Sequence, residues 1–395
     1  MRWGRPLTPE VLAHVNRDLP RVAVIGAGVI GLSAAWQLAE AGCGIAVYDP
    51  EPGHGATHAA AGMLAPVSES TYGEDDVLAL GLDSLRRWPE FARRLEHRTG
   101  LTVGLRQTGT LVVAHDRDDA RELHRFAELL HRQGLAADEL TGRGARALEP
   151  ALSPRTVGAL EVRGEHSVDN RLLVSALMDA AARSGVVLHR ERAGLVVEGG
   201  GVVGVEVPRL GTREAFDVVI VAAGWASSTV PGLPEGSVPA VRPVKGQILR
   251  LRGARDLLSR TIRAKVGGQQ VYLVPRDTGE VVVGATTEDV GPDTRVTAGA
   301  VSDLLRAATT VVPEVAELVF GEALSRLRPT TRDNAPLIGA TSMPHLLMAT
   351  AHYRGGVLMA PATAAALVDL VLDRALHAAV AALSPLRPTD LEVTR

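Results

Sequence analysis

Hydrophobic positions near the start of the chain follow two different periods. Arg21–Ile25 is a short β-branched apolar run, which predicts a strand buried on both faces. Leu32, Ala35, Trp36, Leu38 and Ala39 then recur at helical spacing up to Gly42. Ile45–Tyr48 forms a second apolar run that closes on Asp49. The same strand and helix patterns return later in the chain. Val168–Gly185 predicts a helix capped by Asp169 or Asn170, leading into a strand at Val186–His189. Asp217–Gly224 (DVVIVAAG) predicts another doubly buried strand, and Leu346–Thr350 one more before an apolar helix over Val357–Leu372. Strands of this kind alternating with helices predict an α/β fold built on a parallel sheet.

Other stretches carry a different signal. Residues 74–99 and 118–134 predict amphipathic helices, with a strand at Thr110–Ala114 between them. Gly194–Glu198 and Val202–Val207 read as a small antiparallel excursion. From Pro243 onward, KGQILRLRG and QVYLVPRDTGEVVVGATTED alternate with period two around a turn at Asp277, Thr278 and Gly279. Counting back from that turn places Tyr272 opposite Gly284. A strand glycine often marks close approach of another group, so Tyr272 either presents its hydroxyl to a cavity or packs at a rim. Ala298–Val311 predicts a helix ended by Pro313. At the N-terminus, Thr8, Pro9, Val11, Leu12, Val15 and Leu19 predict a short capped amphipathic helix.

Between the first strand and helix lie Gly26, Gly28 and Gly31, spaced G-x-G-x-x-G. The first glycine allows a tight turn, the second lets backbone approach a pyrophosphate, and the third lets helix and sheet pack closely. Free N–H groups at the helix start favour a diphosphate. Asp49, about 20 residues on, suits the adenosine ribose. This is a dinucleotide site, and the motif alone leaves NAD and FAD both open.

Composition narrows the class. The 395 residues are 46% hydrophobic and 22% charged, with a formal net charge of -3 and no long run of one sign. That fits a soluble enzyme and excludes a basic nucleic-acid surface. Cys43 is the only cysteine, which excludes a disulfide framework and a cysteine-ligated zinc site, and fits a reducing cytoplasm. The first 20 residues lack the apolar core of a signal peptide, and no apolar run is long enough to span a membrane. His54 and His58 stand four apart in the glycine-rich stretch 50–66, which reads as a loop. They are therefore taken as solvent or cofactor contacts, and no metal site is expected.

The last block decides the cofactor. The loop Ala351–Gly356 opens the final helix at Gly355 and Gly356, so a second helix N-terminus points back at the dinucleotide. Two such termini suit FAD, whose diphosphate uses one while its reduced ring carries negative charge for the other. Arg354 lies in this loop and Arg328 just before Pro329. A planar guanidinium in such a place suits a carboxylate.

Together, VIGAGVIG, AAAGML (59–64), VKGQIL (244–249), VYLVPR (271–276), VVVGAT (281–286), LRPTTRDNAPLIG (327–339) and AHYRGGVLMAPAT (351–363) resemble the flavin amine oxidases of the D-amino acid oxidase superfamily. The likeness is nearest to the glycine oxidases of thiamine biosynthesis. It implies a Rossmann-type FAD-binding domain interleaved with a smaller antiparallel-sheet α+β substrate domain. The expected borders are 1–20 for an N-terminal extension without a family counterpart, 21–91, 158–240 and 324–383 for the FAD domain, and 92–157 with 241–323 for the substrate domain. The resemblance implies non-covalent FAD held by Gly26, Gly28, Val29, Ile30, Gly31, Asp49, Pro50, Thr57, Ala61, Gly62, Met63, Gly224, His352, Tyr353, Arg354, Gly355, Gly356, Val357 and Leu358. Tyr272, Arg328 and Arg354 would line the substrate carboxylate, with Arg354 as the main clamp.

The implied reaction is oxidation of glycine by dioxygen to glyoxylate, ammonia and peroxide through an imine that feeds a thiazole synthase. A homo-oligomer is the expected assembly. D-amino acid and sarcosine oxidases or dehydrogenases on the same fold are alternatives, and an NAD-dependent dehydrogenase is a rival from another class. Cys43 lies at the adenosine end, which argues against a cysteine-tethered flavin. Thr287 stands where some relatives have methionine, and Gln270 replaces a bulkier neighbour of Tyr272, which leaves the choice of amine open.

Overall fold

The computed structural model describes residues 19–253 and 255–387. The helix expected over residues 8–19 lies outside them, apart from Leu19. A six-stranded sheet runs in the order Leu337–Ala340, Leu346–Thr350, Val218–Val221, Arg21–Ile25, Gly44–Tyr48, Val187–His189. All neighbours are parallel except the outer pair of Leu337–Ala340 with Leu346–Thr350.

Alternate residues of the central strand explain the layers. Val22 and Val24 enter a core formed with the helices Val29–Glu40, Asp75–Thr99, Asn170–Arg183 and Gly356–Val371. Ala23 and Ile25 point the other way, into a core shared with a three-stranded antiparallel sheet, Gly194–Glu198, Gly201–Val207 and Thr212–Ala215. A strand buried on both faces has no polar side to show, which is why RVAVI reads as a continuous apolar run. The helix Gly356–Val371 lies between the sheet and two other helices, and its apolar residues accordingly run almost all round.

The second unit is an eight-stranded sheet ordered Val319–Thr330, Arg242–Arg252, Glu280–Gly284, Gln269–Pro275, Thr261–Val266, Thr110–Ala114, Gly158–Val162, Asp138–Thr141. One face buries Leu249, Leu251, Ile262, Leu273, Val281 and Val283 under the helix Ala298–Val311. The opposite face carries Ile248, Tyr272, Val274 and Val282 towards Ala59 and Ala61 of the first unit. Two strands sit across the borders drawn from sequence. Gly158–Val162 lies in the stretch expected for the FAD domain yet pairs in the eight-stranded sheet, and Val319–Thr330 continues through the border at 324. Both follow from pairing: a strand belongs to the ladder that satisfies its backbone, whatever lies next to it in the chain.

Among the described residues, no helix is long and apolar enough to cross a membrane.

Candidate active site

The carboxyl ends of adjacent strands in the six-stranded sheet open onto a cavity of about 870 Å³. Residues following four strands line it: Gly26, Gly28, Val29 and Ile30 after the first, Asp49 and Pro50 after the second, Ala223 and Gly224 after Val218–Val221, and His352, Tyr353, Arg354, Gly356 and Val357 after Leu346–Thr350. Open parallel sheets bind ligands at this edge because helix N-termini converge there. The far wall is the eight-stranded sheet, with Ile248, Arg263, Gln270, Tyr272, Thr287 and Arg328.

At the dinucleotide end, Gly26 has φ +111°, and a Cβ there would overlap the carbonyl oxygen of Ala222. The turn can be made only by glycine. A Cβ on Gly28 would meet nothing closer than Thr57 Oγ1 at 3.4 Å, so its missing side chain leaves space for a ligand. The Val29 N–H donates to Thr57 Oγ1 at 3.1 Å. The Asp49 carboxylate accepts from the N–H groups of Ala27 (2.6 Å) and Glu51 (2.8 Å). A carboxylate has about four acceptor positions, so Asp49 keeps capacity for ribose hydroxyls while bracing the glycine turn.

The segment Thr57–Met63 runs along the cavity between the two units. Ala61, Gly62 and Met63 line it, and buried polar groups hold it from behind. Arg276 donates to the carbonyls of Ala61 (2.6 Å) and Val168 (2.9 Å). Asn170 Nδ2 donates to the carbonyls of Thr57 (2.7 Å) and His58 (3.0 Å), and its Oδ1 accepts from Arg250 (3.0 Å). Burial pulls the Arg276 pKa down to about 10, against the attraction of Asp169, and it stays a cation at neutral pH. No role was assigned to Arg250 or Arg276 from sequence, and Asn170 was read only as a candidate helix cap, since nothing local to such a residue shows which loop it will tie down.

Three of the expected residues do not reach the cavity wall. Gly31 packs so tightly that a Cβ would overlap the carbonyl oxygen of Gly26. Gly355 is the N-cap of the helix Gly356–Val371. Leu358 is buried among the helices, and its carbonyl accepts from Ser84 Oγ (2.6 Å) and Trp88 Nε1 (2.8 Å). The loop prediction for residues 50–66 is also refined. Ala56–Ala59 forms one helical turn, which stacks the His54 and His58 rings 5.0 Å apart. His54 lines the cavity, whereas His58 faces Arg171, 3.1 Å away.

His352 is buried, and its Nε2 lies 2.9 Å from Thr363 Oγ1. Burial lowers its pKa to about 3. Between that value and the ordinary 6.5 the unfolded chain binds a proton that the folded chain does not. Stability therefore falls as pH drops below about 6.5, by at most about 1.4 kcal/mol per pH unit from this group. His352→Gln is expected to flatten the slope of denaturant-derived stability between pH 4 and 6.5. An unchanged slope would mean that His352 titrates freely.

At the opposite end of the cavity, one transverse row of the eight-stranded sheet reads Val112, Arg263, Tyr272, Gly284, Ile248, Leu324. The pairing of Tyr272 with Gly284 is the register expected from the turn. A Cβ on Gly284 would overlap the Tyr272 hydroxyl, and one on Gly246 would overlap the Arg328 guanidinium. The two glycines thus form the bed on which both functional groups lie. Burial raises the Tyr272 pKa, with Arg328 and Arg263 pulling the other way and Glu69 adding to the rise. Its hydroxyl remains a donor.

The guanidinium groups differ in their partners. Arg328 donates to the carbonyl of Thr286 at 3.1 Å. Arg263 Nη1 lies 2.7 Å from Glu69 Oε1, with both side chains largely buried. Arg354 stands at the mouth, its side chain 37% exposed, with Nη2 3.5 Å from Glu74 Oε2 and 3.4 Å from Thr71 Oγ1. The backbone links these positions, since the Tyr353 N–H donates to the carbonyl of Pro329 at 2.9 Å. Arg263 and Glu69 are site residues that the sequence reading did not name.

The cavity suits FAD. Its lining offers the Gly26–Asp49 side to a dinucleotide and the small residues Ala59–Gly62 to a flat ring, with Tyr272 and Arg328 on the facing sheet. Comparison with known proteins agrees. The family model described as FAD dependent oxidoreductase matches residues 21–370. Glycine oxidase of Geobacillus kaustophilus is 33% identical over 362 residues, covering 89% of this chain and 92% of that protein. The bifunctional protein ThiO/ThiG of Nostoc sp. is 33% identical over 359 residues, and the match spans 53% of its length. The crystal structure of glycine oxidase from Geobacillus kaustophilus superposes with a TM-score of 0.86 at 31% identity, covering 94% of this chain and 99% of the other. The doubly layered nucleotide sheet, the small-residue segment between the units and these matches lead to one conclusion: the chain belongs to the FAD dependent oxidoreductase family, on the D-amino acid oxidase-like fold.

Proposed function

We propose that the protein oxidises glycine to glyoxylate, ammonia and hydrogen peroxide, using dioxygen. The observation that carries this reading is the placing of Tyr272 and Arg328 on glycine beds across the cavity from the nucleotide loops. A guanidinium fork matches a carboxylate in two parallel hydrogen bonds, and a neutral tyrosine hydroxyl adds a third donor. Arg328 and Tyr272 are the inner anchors in this assignment, and Arg354 at the mouth guides the anion inward.

FAD, when bound, supplies the oxidising chemistry by accepting a hydride from the substrate carbon and passing electrons to dioxygen. The chain supplies position and field. Gly26, Gly28 and Val29 would hold the diphosphate, Asp49 the ribose, and Thr57 and Ala61–Met63 the ring, while Gly356 and Val357 would present a helix N-terminus to it. Arg328 and Tyr272 would bind the carboxylate and so orient the Cα–H of the neutral amine form. The resulting imine takes up water to give glyoxylate and ammonia. Glycine, dioxygen and water thus balance glyoxylate, ammonia and hydrogen peroxide. No side chain is required as base, because the amine loses its proton to solvent before reaction.

The imine is also the form that a thiazole synthase would take up for thiamine. A homologous segment making up about half of the ThiO/ThiG protein supports that hand-off. The test is steady-state turnover of glycine, sarcosine and D-alanine, with peroxide, ammonia and keto acid measured together. Glycine is expected to be used with equal yields of the three products. Turnover of D-alanine alone would reassign the chain to a D-amino acid oxidase.

A further inference from the structure

Charge balance around Tyr272 restricts the substrate further, on the basis of the amine oxidase reading above. Arg263 is the cross-strand neighbour of Tyr272 and is matched by Glu69 at 2.7 Å. Arg354 is matched by Glu74 at 3.5 Å. Arg328 donates to a backbone carbonyl and, among the described residues, has no carboxylate partner. Of these three guanidinium groups, only Arg328 is left for a substrate anion.

The backbone that carries Glu69 is also pinned. Glu165, fully buried, accepts from the N–H groups of Val67 (2.9 Å) and Ser68 (2.6 Å) and from Ser68 Oγ (2.7 Å). These bonds fix the turn immediately before Glu69. The side chains of Arg263 and Glu69 are only 14% and 17% exposed, so their charges are weakly screened.

We propose that the Glu69–Arg263 pair selects amino acids bearing a single carboxylate and rejects amino diacids. A second carboxylate entering beside Tyr272 would face Glu69, and Arg263 is already neutralised by that same group. Specificity then comes from an opposing charge as much as from the attraction of Arg328.

The experiment uses the FAD-loaded protein with two unreactive probes, glycolate as monoacid and malonate as diacid. Their dissociation constants are read from the flavin spectrum, and turnover of glycine is measured beside turnover of iminodiacetate. The proteins compared are the wild type, Glu69→Gln, Arg263→Gln and the double variant. Glu69→Gln frees Arg263 and is expected to move the malonate-to-glycolate preference roughly tenfold or more towards malonate, with iminodiacetate gaining on glycine. The double variant is expected to lose that gain. Arg263→Gln leaves Glu69 uncompensated and moves the preference further from malonate, which tests the idea even where Glu69→Gln holds no flavin. A preference unchanged in Glu69→Gln or Arg263→Gln, or a gain that persists in the double variant, overturns the proposal. A wild type that binds glycolate but does not oxidise glycine would sink the proposed reaction while leaving the binding ratio to decide the charge rule.

Discussion

Arg328→Ala is expected to lower kcat/KM for glycine by about 100- to 1,000-fold, equivalent to roughly 3–4 kcal/mol. The magnitude follows from its surroundings. Arg328 is partly buried beside a partly buried tyrosine, and among the described residues no carboxylate neutralises it. Removing it would leave the substrate anion desolvated and facing only a hydroxyl. Flavin content should be unchanged, because Arg328 lies on the sheet opposite the nucleotide loops. Arg354→Ala is expected to cost less than tenfold, since its side chain is 37% exposed and already shares Glu74. Steady-state kinetics on both variants give the order directly. A larger loss for Arg354→Ala would move the principal anchor to the cavity mouth, as the family resemblance implied.

Gly26→Ala is expected to lose most of its FAD and at least about 3 kcal/mol of stability. Alanine at φ +111° is strained, and its methyl group would overlap the carbonyl of Ala222. That carbonyl belongs to the backbone just past a central strand, so neither side can give way as a flexible side chain would. The flavin-to-protein ratio and a thermal melt check the prediction. Full flavin occupancy with an unchanged melt would show that the turn is looser than its geometry.

Local signals made the nucleotide half legible. The doubly buried strands at Arg21–Ile25 and Leu346–Thr350, the helix Ala298–Val311 and the Asp169 cap all match the observed elements. Each is determined by residues within a few positions of itself, through period, cap or breaker. The register of Tyr272 against Gly284 was legible for the same reason, because a short turn fixes the pairing of its own hairpin.

What was hidden depends on pairing at a distance. Asp138–Thr141 and Thr212–Ala215 are short, polar edge strands whose exposed sides carry no apolar alternation. Arg263 sits in TIRAKV, where Ile262 and Ala264 face the core and Arg263 faces the cleft. The alternation contains that information, but only the strand order places this face beside Tyr272. Glu69 comes from a turn almost 200 residues away, and Arg276 reaches the carbonyl of Ala61 from 215 positions on. Which charge meets which is decided by the approach of the two sheets. The difference between Arg328 and Arg354 has the same origin: one precedes a proline and the other a glycine pair, and only the depth of each in the cavity separates their roles.

The most direct measurement is anaerobic mixing of glycine with the FAD-loaded wild-type protein, followed through the visible absorption of the oxidised flavin. The account predicts that glycine bleaches this band in a single turnover, releasing glyoxylate and ammonia, and that admitting air restores it. A band that stays unchanged at saturating glycine, in protein carrying a full complement of flavin, would contradict it.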